Sequence, residues 1–143
     1  MTDVSTPSPE TAGSAEAARA YEHVLLALPA ATTYLSVLRT ATAGLAARMD
    51  FTLDEIEDLR IAVDEASGML LPGAPDGAEL TCRFEVAPGR IAVTLSTPSP
   101  ARELPPRDTF AWTVLTALAG DVDATVTDQG ELAIRLVKHK GAT

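Results

Sequence analysis

The stretch from Asp50 to Leu71 constrains the fold most tightly. Thr52 is followed three residues later by Glu55, the spacing of a capping box, in which each residue satisfies a free backbone N–H of the other at a helix start. Phe51 and Ile56 stand where a hydrophobic staple would pack across that start. Ile56, Leu59, Val63, Ala66 and Leu70 then recur at intervals of three and four, one apolar face of a helix. Asp54, Glu55, Glu57 and Asp58 crowd the first turns, where the helix dipole favours negative charge. Arg60 and Asp64 are spaced to pair on the solvent side, and Pro72 and Gly73 stop the helix. A helix with one apolar face must bury it against a second layer.

The rest of the chain supplies that layer. His23–Leu28 is a short apolar run stopped by Pro29 and reads as a first strand. Residues 30–49 read as a first helix, with Leu38, Leu45 and Met49 buried and Ser36 and Arg39 turned outward. From Ala78 to Val86 apolar and polar residues alternate, which makes a half-buried strand and puts Cys82 on its core side. Pro88–Arg90 turns it back into Ile91, Val93 and Leu95. Four prolines between Pro98 and Pro106 leave a loop. Asp108 reads as the cap of a third helix with Phe110, Val114 and Leu118 on one face. Two alternating strands, around Val122–Val126 and Leu132–Leu136, close the chain before a basic end at Lys138 and Lys140. The order β-α-α-β-β-α-β-β predicts an α+β, two-layer sandwich: a mostly antiparallel sheet of about five strands with three helices on one face. A ferredoxin-like α+β fold is the competing arrangement. Residues 1–20, poor in large apolar side chains, read as a disordered tail before a domain at 21–143.

Composition narrows the function. A net charge of −9 and a pI near 4.5 repel nucleic acid and favour a basic protein partner. One cysteine excludes an internal disulfide and a cysteine-based zinc cluster. His23 and His139 lie far apart in sequence, and the acids of residues 54–58 are spread around a helix, so no metal site is expected. No apolar run reaches the roughly 18 residues of a membrane span, and no signal-like segment opens the chain, so a cytoplasmic location is expected.

The run Thr-Leu-Asp-Glu-Ile-Glu-Asp-Leu-Arg-Ile-Ala-Val-Asp-Glu-Ala at 52–66, the closing Leu-Ala-Ile-Arg-Leu-Val-Lys-His at 132–139 and the element order together resemble the RsbW-type anti-sigma factor serine kinases of the GHKL, or Bergerat-fold, superfamily. The Ala- and Thr-rich wording is similar to the actinobacterial branch. The resemblance implies an ATP site built on three boxes. In the first, Glu65 matches the catalytic base that activates a protein serine, but Met69 stands where an Asn would bind magnesium. In the second, Thr97-Pro98-Ser99-Pro100-Ala101 replaces an Asp-x-Gly-x-Gly that would hold adenine. In the third, Thr109-Phe110-Ala111 replaces the Gly-x-Gly that would wrap phosphates, and the lid is shortened to the Pro-rich loop. ATP and magnesium are therefore not expected as cofactors, although an active kinase with Glu65 as base is the alternative.

The resemblance further implies a binding role. The chain would sequester an alternative sigma factor of RNA polymerase and surrender it to a STAS-type anti-anti-sigma protein. Arg39 matches a partner-contacting arginine on the outer face of the first helix. A homodimer through a sheet edge is implied as well, with the hairpin around Gly89 as the candidate edge.

Overall fold

The structure is a computed structural model that describes residues 22–141. The expected tail lies outside the described residues. Five strands and three helices follow in the expected order: β1 (Glu22–Pro29), α1 (Leu35–Arg48), α2 (Leu53–Leu70), β2 (Glu79–Ala87), β3 (Arg90–Pro98), α3 (Phe110–Leu118), β4 (Asp121–Val126) and β5 (Glu131–His139). The sheet runs β1-β2-β3-β5-β4, and every pairing is antiparallel. A ferredoxin-like arrangement is thereby excluded.

Register explains the two layers. Leu26, Cys82, Leu95, Ile134 and Ala124 form one continuous row across the sheet. Val24, Phe84, Val93, Leu136 and Val122 form the next. Strand residues alternate in direction, so both rows face the same side. There all but Val24, which stays exposed on the edge strand, meet Leu59, Val63, Ala66 and Leu70 of α2, Leu38 of α1 and Leu115 of α3 in a single core. Each such Leu or Val contributes about 1.5–3 kcal/mol through burial. The opposite face of the sheet carries Thr81, Arg83, Glu85, Thr94, Ser96 and Arg135, and none of the described helices lies over it.

The capping box forms as expected. Thr52 Oγ1 accepts from Glu55 N–H at 3.2 Å, and Glu55 Oε1 accepts from Thr52 N–H at 2.8 Å. Phe51 is buried, and Ile56 packs on the core beside it.

Four expectations are corrected. Residues 30–34 do not join the first helix: Ala31 is extended and Thr32–Tyr34 form a 3-10 turn, so α1 starts at Leu35. Its buried positions are Leu35, Leu38, Thr42 and Ala46, with Leu45 and Met49 only half-buried against the core. Thr42 enters the core because its hydroxyl donates to Leu38 O at 2.7 Å and so leaves no unpaired polar group. Thr109, not Asp108, caps α3, its hydroxyl accepting from Trp112 N–H at 3.2 Å. That start turns Trp112 and Leu115 inward and leaves Phe110 83% exposed. Finally, the Gly89 hairpin is not an edge. β1 is laid outside β2 and β5 beside β3, so the free edges belong to β1 and β4.

Candidate functional site

α2 organises the surroundings because it carries chemistry on both flanks. Residues three and four apart share a helix side. Glu57, Arg60 and Asp64 therefore align on the flank toward α1, and Asp58, Ala62, Glu65 and Met69 on the flank toward β5 and α3.

On the first flank, Arg39 of α1 meets Asp64 of α2. Its Nε lies 2.8 Å from both carboxylate oxygens. Both side chains remain more than a third exposed, so solvent screens the pair and its worth to stability is below about 1 kcal/mol. Its effect on geometry is larger. The contact ties the Arg39 guanidinium to α2 through Nε. Arg39 lines an open groove of about 420 Å³ together with Thr40, Ala43, Gly44 and Arg60. Arg60 takes Glu57 at 2.9 Å, so the expected Arg60–Asp64 pair does not form. Asp64 is claimed across the interhelical seam instead, a contact between residues 25 apart that one-helix spacing rules do not reach. Beside this groove, an apolar one of about 470 Å³ lies between Ala30, Ala31 and Leu35 on one side and Gly68, Leu71 and Pro72 on the other. Tyr34 and Val37 stand exposed next to it. No acidic residue occurs from His23 to Met49, so α1 is a basic and apolar surface on an acidic chain.

On the second flank, Glu65 is half-buried one turn before Met69, which packs against the core. The end of β3 and the segment after it are tied down at several points. Thr97 is buried, and its hydroxyl donates to Glu79 O at 3.0 Å. Ser99 N–H donates to Gly130 O at 2.9 Å. Arg102 adopts a positive φ of 53° and lies against Gly130 in the β4–β5 turn. Arg107 stacks 4.8 Å above the Trp112 ring and donates to Asp123 at 2.8 Å, holding the Asp123 carboxyl below its ordinary range. The Pro-rich loop is thus fastened to α3 and the β4–β5 hairpin. Nothing in sequence spacing announces the Arg107 contacts.

A third set of contacts joins the flanks to the sheet. Lys138 of β5, read from sequence as part of a basic end, is largely enclosed. It donates to Leu118 O at 2.8 Å, at the end of α3, and reaches Asp58 of α2 at 3.3 Å. Gly141 N–H donates to Glu55 Oε2 at 2.6 Å. Backbone hydrogen bonds from Thr52 and Gly141 hold the Glu55 carboxyl below its ordinary range. Cys82 is fully buried among apolar side chains, and burial pushes its thiol up to about 12. It is the inert core thiol that alternation implies. Among the described residues no group of three or more His, Cys, Asp or Glu is placed to hold a metal. No described helix is long and apolar enough to cross a membrane. The structure therefore separates the two candidate residues: Arg39 and Glu65 stand on opposite sides of α2.

No protein-family model matches the chain. Among curated proteins, the serine-protein kinase RsbW of Bacillus subtilis is 35% identical over 78 residues, covering 52% of this chain and 49% of that one. RsbW of Bacillus cereus is 32% identical over 78 residues, covering 53% and 49%. The chain thus spans about half the length of the curated relatives it matches. Among solved structures, the RsbU and RsbW domains of Rv1364c from Mycobacterium tuberculosis match 83% of this chain and 32% of that one, with a TM-score of 0.64 and 12% identity. That likeness is one of fold. Over about half its length the chain is thus similar in sequence to the RsbW serine-protein kinases, and its fold is similar to that of a solved structure that contains an RsbW domain.

Proposed function

We propose that the chain is a cytoplasmic anti-sigma factor. It sequesters an alternative sigma factor of RNA polymerase by protein binding and yields it to a STAS-type anti-anti-sigma partner. The observation that carries this reading is the surface of α1: a face free of acidic residues, with apolar grooves beside it and Arg39 oriented by Asp64. Both partners would use this face, so binding one displaces the other. The remaining surface of a chain with net charge −9 steers a basic sigma factor toward the complex. A homodimer belongs to the same reading.

The nucleotide flank supports binding over catalysis. A magnesium ion needs hard oxygen ligands, and Met69 offers a thioether already packed on the core. A phosphate at the start of α3 needs free backbone N–H groups, and the Thr109 hydroxyl takes one of them, that of Trp112. The residues present do not fit a magnesium–nucleotide pair. The kinase reading has two points in its favour, the name of the relatives and the carboxylate of Glu65.

The test is capture of sigma and STAS partners from lysate with the full chain and with Arg39→Glu. Retention of both partners by the wild type and loss of one or both by the variant is expected. Equal capture of both by the variant would remove Arg39 from the interface.

A further inference from the structure

The face of the sheet turned away from the described helices carries a cluster of polar and charged side chains outside both flanks of α2. The cross-strand register places Arg83 of β2 and Arg135 of β5 on either side of Thr94 in β3. Adjacent strands are about 4.8 Å apart, so the two arginine Cα atoms stand about 9–10 Å from one another, a span that two guanidinium side chains can close over one small group. The next row on the same face brings Thr81 and Ser96. These side chains line a shallow concavity of about 390 Å³.

Charge makes the arrangement informative. Arg39, Arg60 and Arg107 each take a carboxylate at 2.8–2.9 Å. Among the described residues Arg83 and Arg135 take none, although the chain has 20 acidic residues. Asp123, directly across from Arg135, is held by Arg107 instead. The same lining holds two carboxylates, Glu85 one row from Arg83 and Glu131 two rows from Arg135, so the arginines sit between acidic neighbours. A long polyanion would run onto those carboxylates; a compact anion would not.

We propose that this face binds a phosphoryl group between Arg83 and Arg135. Two guanidinium forks and the hydroxyls of Thr94 and Ser96 offer more donors than the two oxygens of a carboxylate use. A phosphate monoester presents three strong acceptor oxygens with a charge of about −1.5 to −2. The site stands apart from both flanks of α2 and does not depend on the function proposed above.

Amide chemical shifts of the full chain, followed during titration, test it. The probes are inorganic phosphate, a phosphoserine peptide and the unphosphorylated twin of that peptide. Saturable shifts at Thr94, Ser96 and Ala133 are expected with the phosphorylated probes alone. Affinity is expected to fall roughly tenfold or more in Arg83→Gln/Arg135→Gln, a change of about 1.4 kcal/mol. Both arginines point away from the core, so the variant should keep the wild-type spectrum elsewhere; Thr94→Val gives an independent, smaller loss. Phosphopeptide binding tighter than phosphate would assign the group to a protein, and equal affinities would assign it to a free anion. No saturable shift with either phosphorylated probe, or equal shifts in the double variant, would overturn the proposal.

Discussion

The two flanks of α2 share a backbone and a core and yet differ in kind. Toward α1, charged side chains are paired across the seam but half-exposed, and open grooves lie beside them. Toward α3, a thioether, an indole and an anchored loop fill the corresponding ground. An exposed pair on a rigid helix can exchange its partner at small cost, because solvent already screens it. A side chain packed in a core cannot make room without leaving a cavity. In the proposed function the first flank meets another molecule and the second holds the fold.

That contrast can be broken in graded ways. The largest effect belongs to the spine that both flanks share. Leu59→Ala is expected to cost about 2–5 kcal/mol in urea unfolding and to weaken every activity together, since its side chain is fully buried. A cost below about 1 kcal/mol would mean that α2 is not the common support. Next comes the interface. Arg39→Glu is expected to reduce partner affinity roughly tenfold or more, about 1.4 kcal/mol, and to change unfolding free energy by less than about 1 kcal/mol. Equal losses in binding and stability would show that the pair serves the fold. Thr52→Ala removes half of the capping box and is expected to cost about 1 kcal/mol, read as a shifted urea midpoint at unchanged slope.

The smallest effect is one of pH. The Glu55 carboxyl is held below its ordinary range by backbone donors, so its contribution is complete above the unfolded value and fades as pH falls through the folded one. Glu55→Gln is expected to flatten the acid limb of the stability profile and leave its neutral and alkaline limbs parallel to wild type. An unchanged acid limb would mean that the bonds from Thr52 and Gly141 do not favour the charged form.

How much of this was legible in sequence follows from the range of each interaction. The capping box, the stripe from Ile56 to Leu70 and the alternation of β2 are local patterns, and each formed where read. The layer assignment followed, because alternating strands and one-faced helices leave few ways to bury both. The third helix misled because its largest side chains conflict. Phe110 precedes Trp112 by two positions, so both cannot face one core, and the Thr109 cap decides for Trp112. The sheet edge misled because hairpins specify neighbours but not what is later laid beside them. At the site, Arg39 and Glu65 were visible as residue types. The partner of Arg39 was not, since the seam joins residues that only tertiary packing brings together. Sequence shows Lys138 only as part of a basic end, because nothing local announces its contacts with Asp58 and the end of α3.

The central claim is that the flank toward α3 has given up nucleotide while the flank toward α1 keeps a partner surface. Calorimetric titration of the full chain with ATP, run with and without magnesium, addresses it most directly. The account predicts no saturable heat under either condition. A saturable isotherm that strengthens with magnesium and disappears in Glu65→Ala would contradict it.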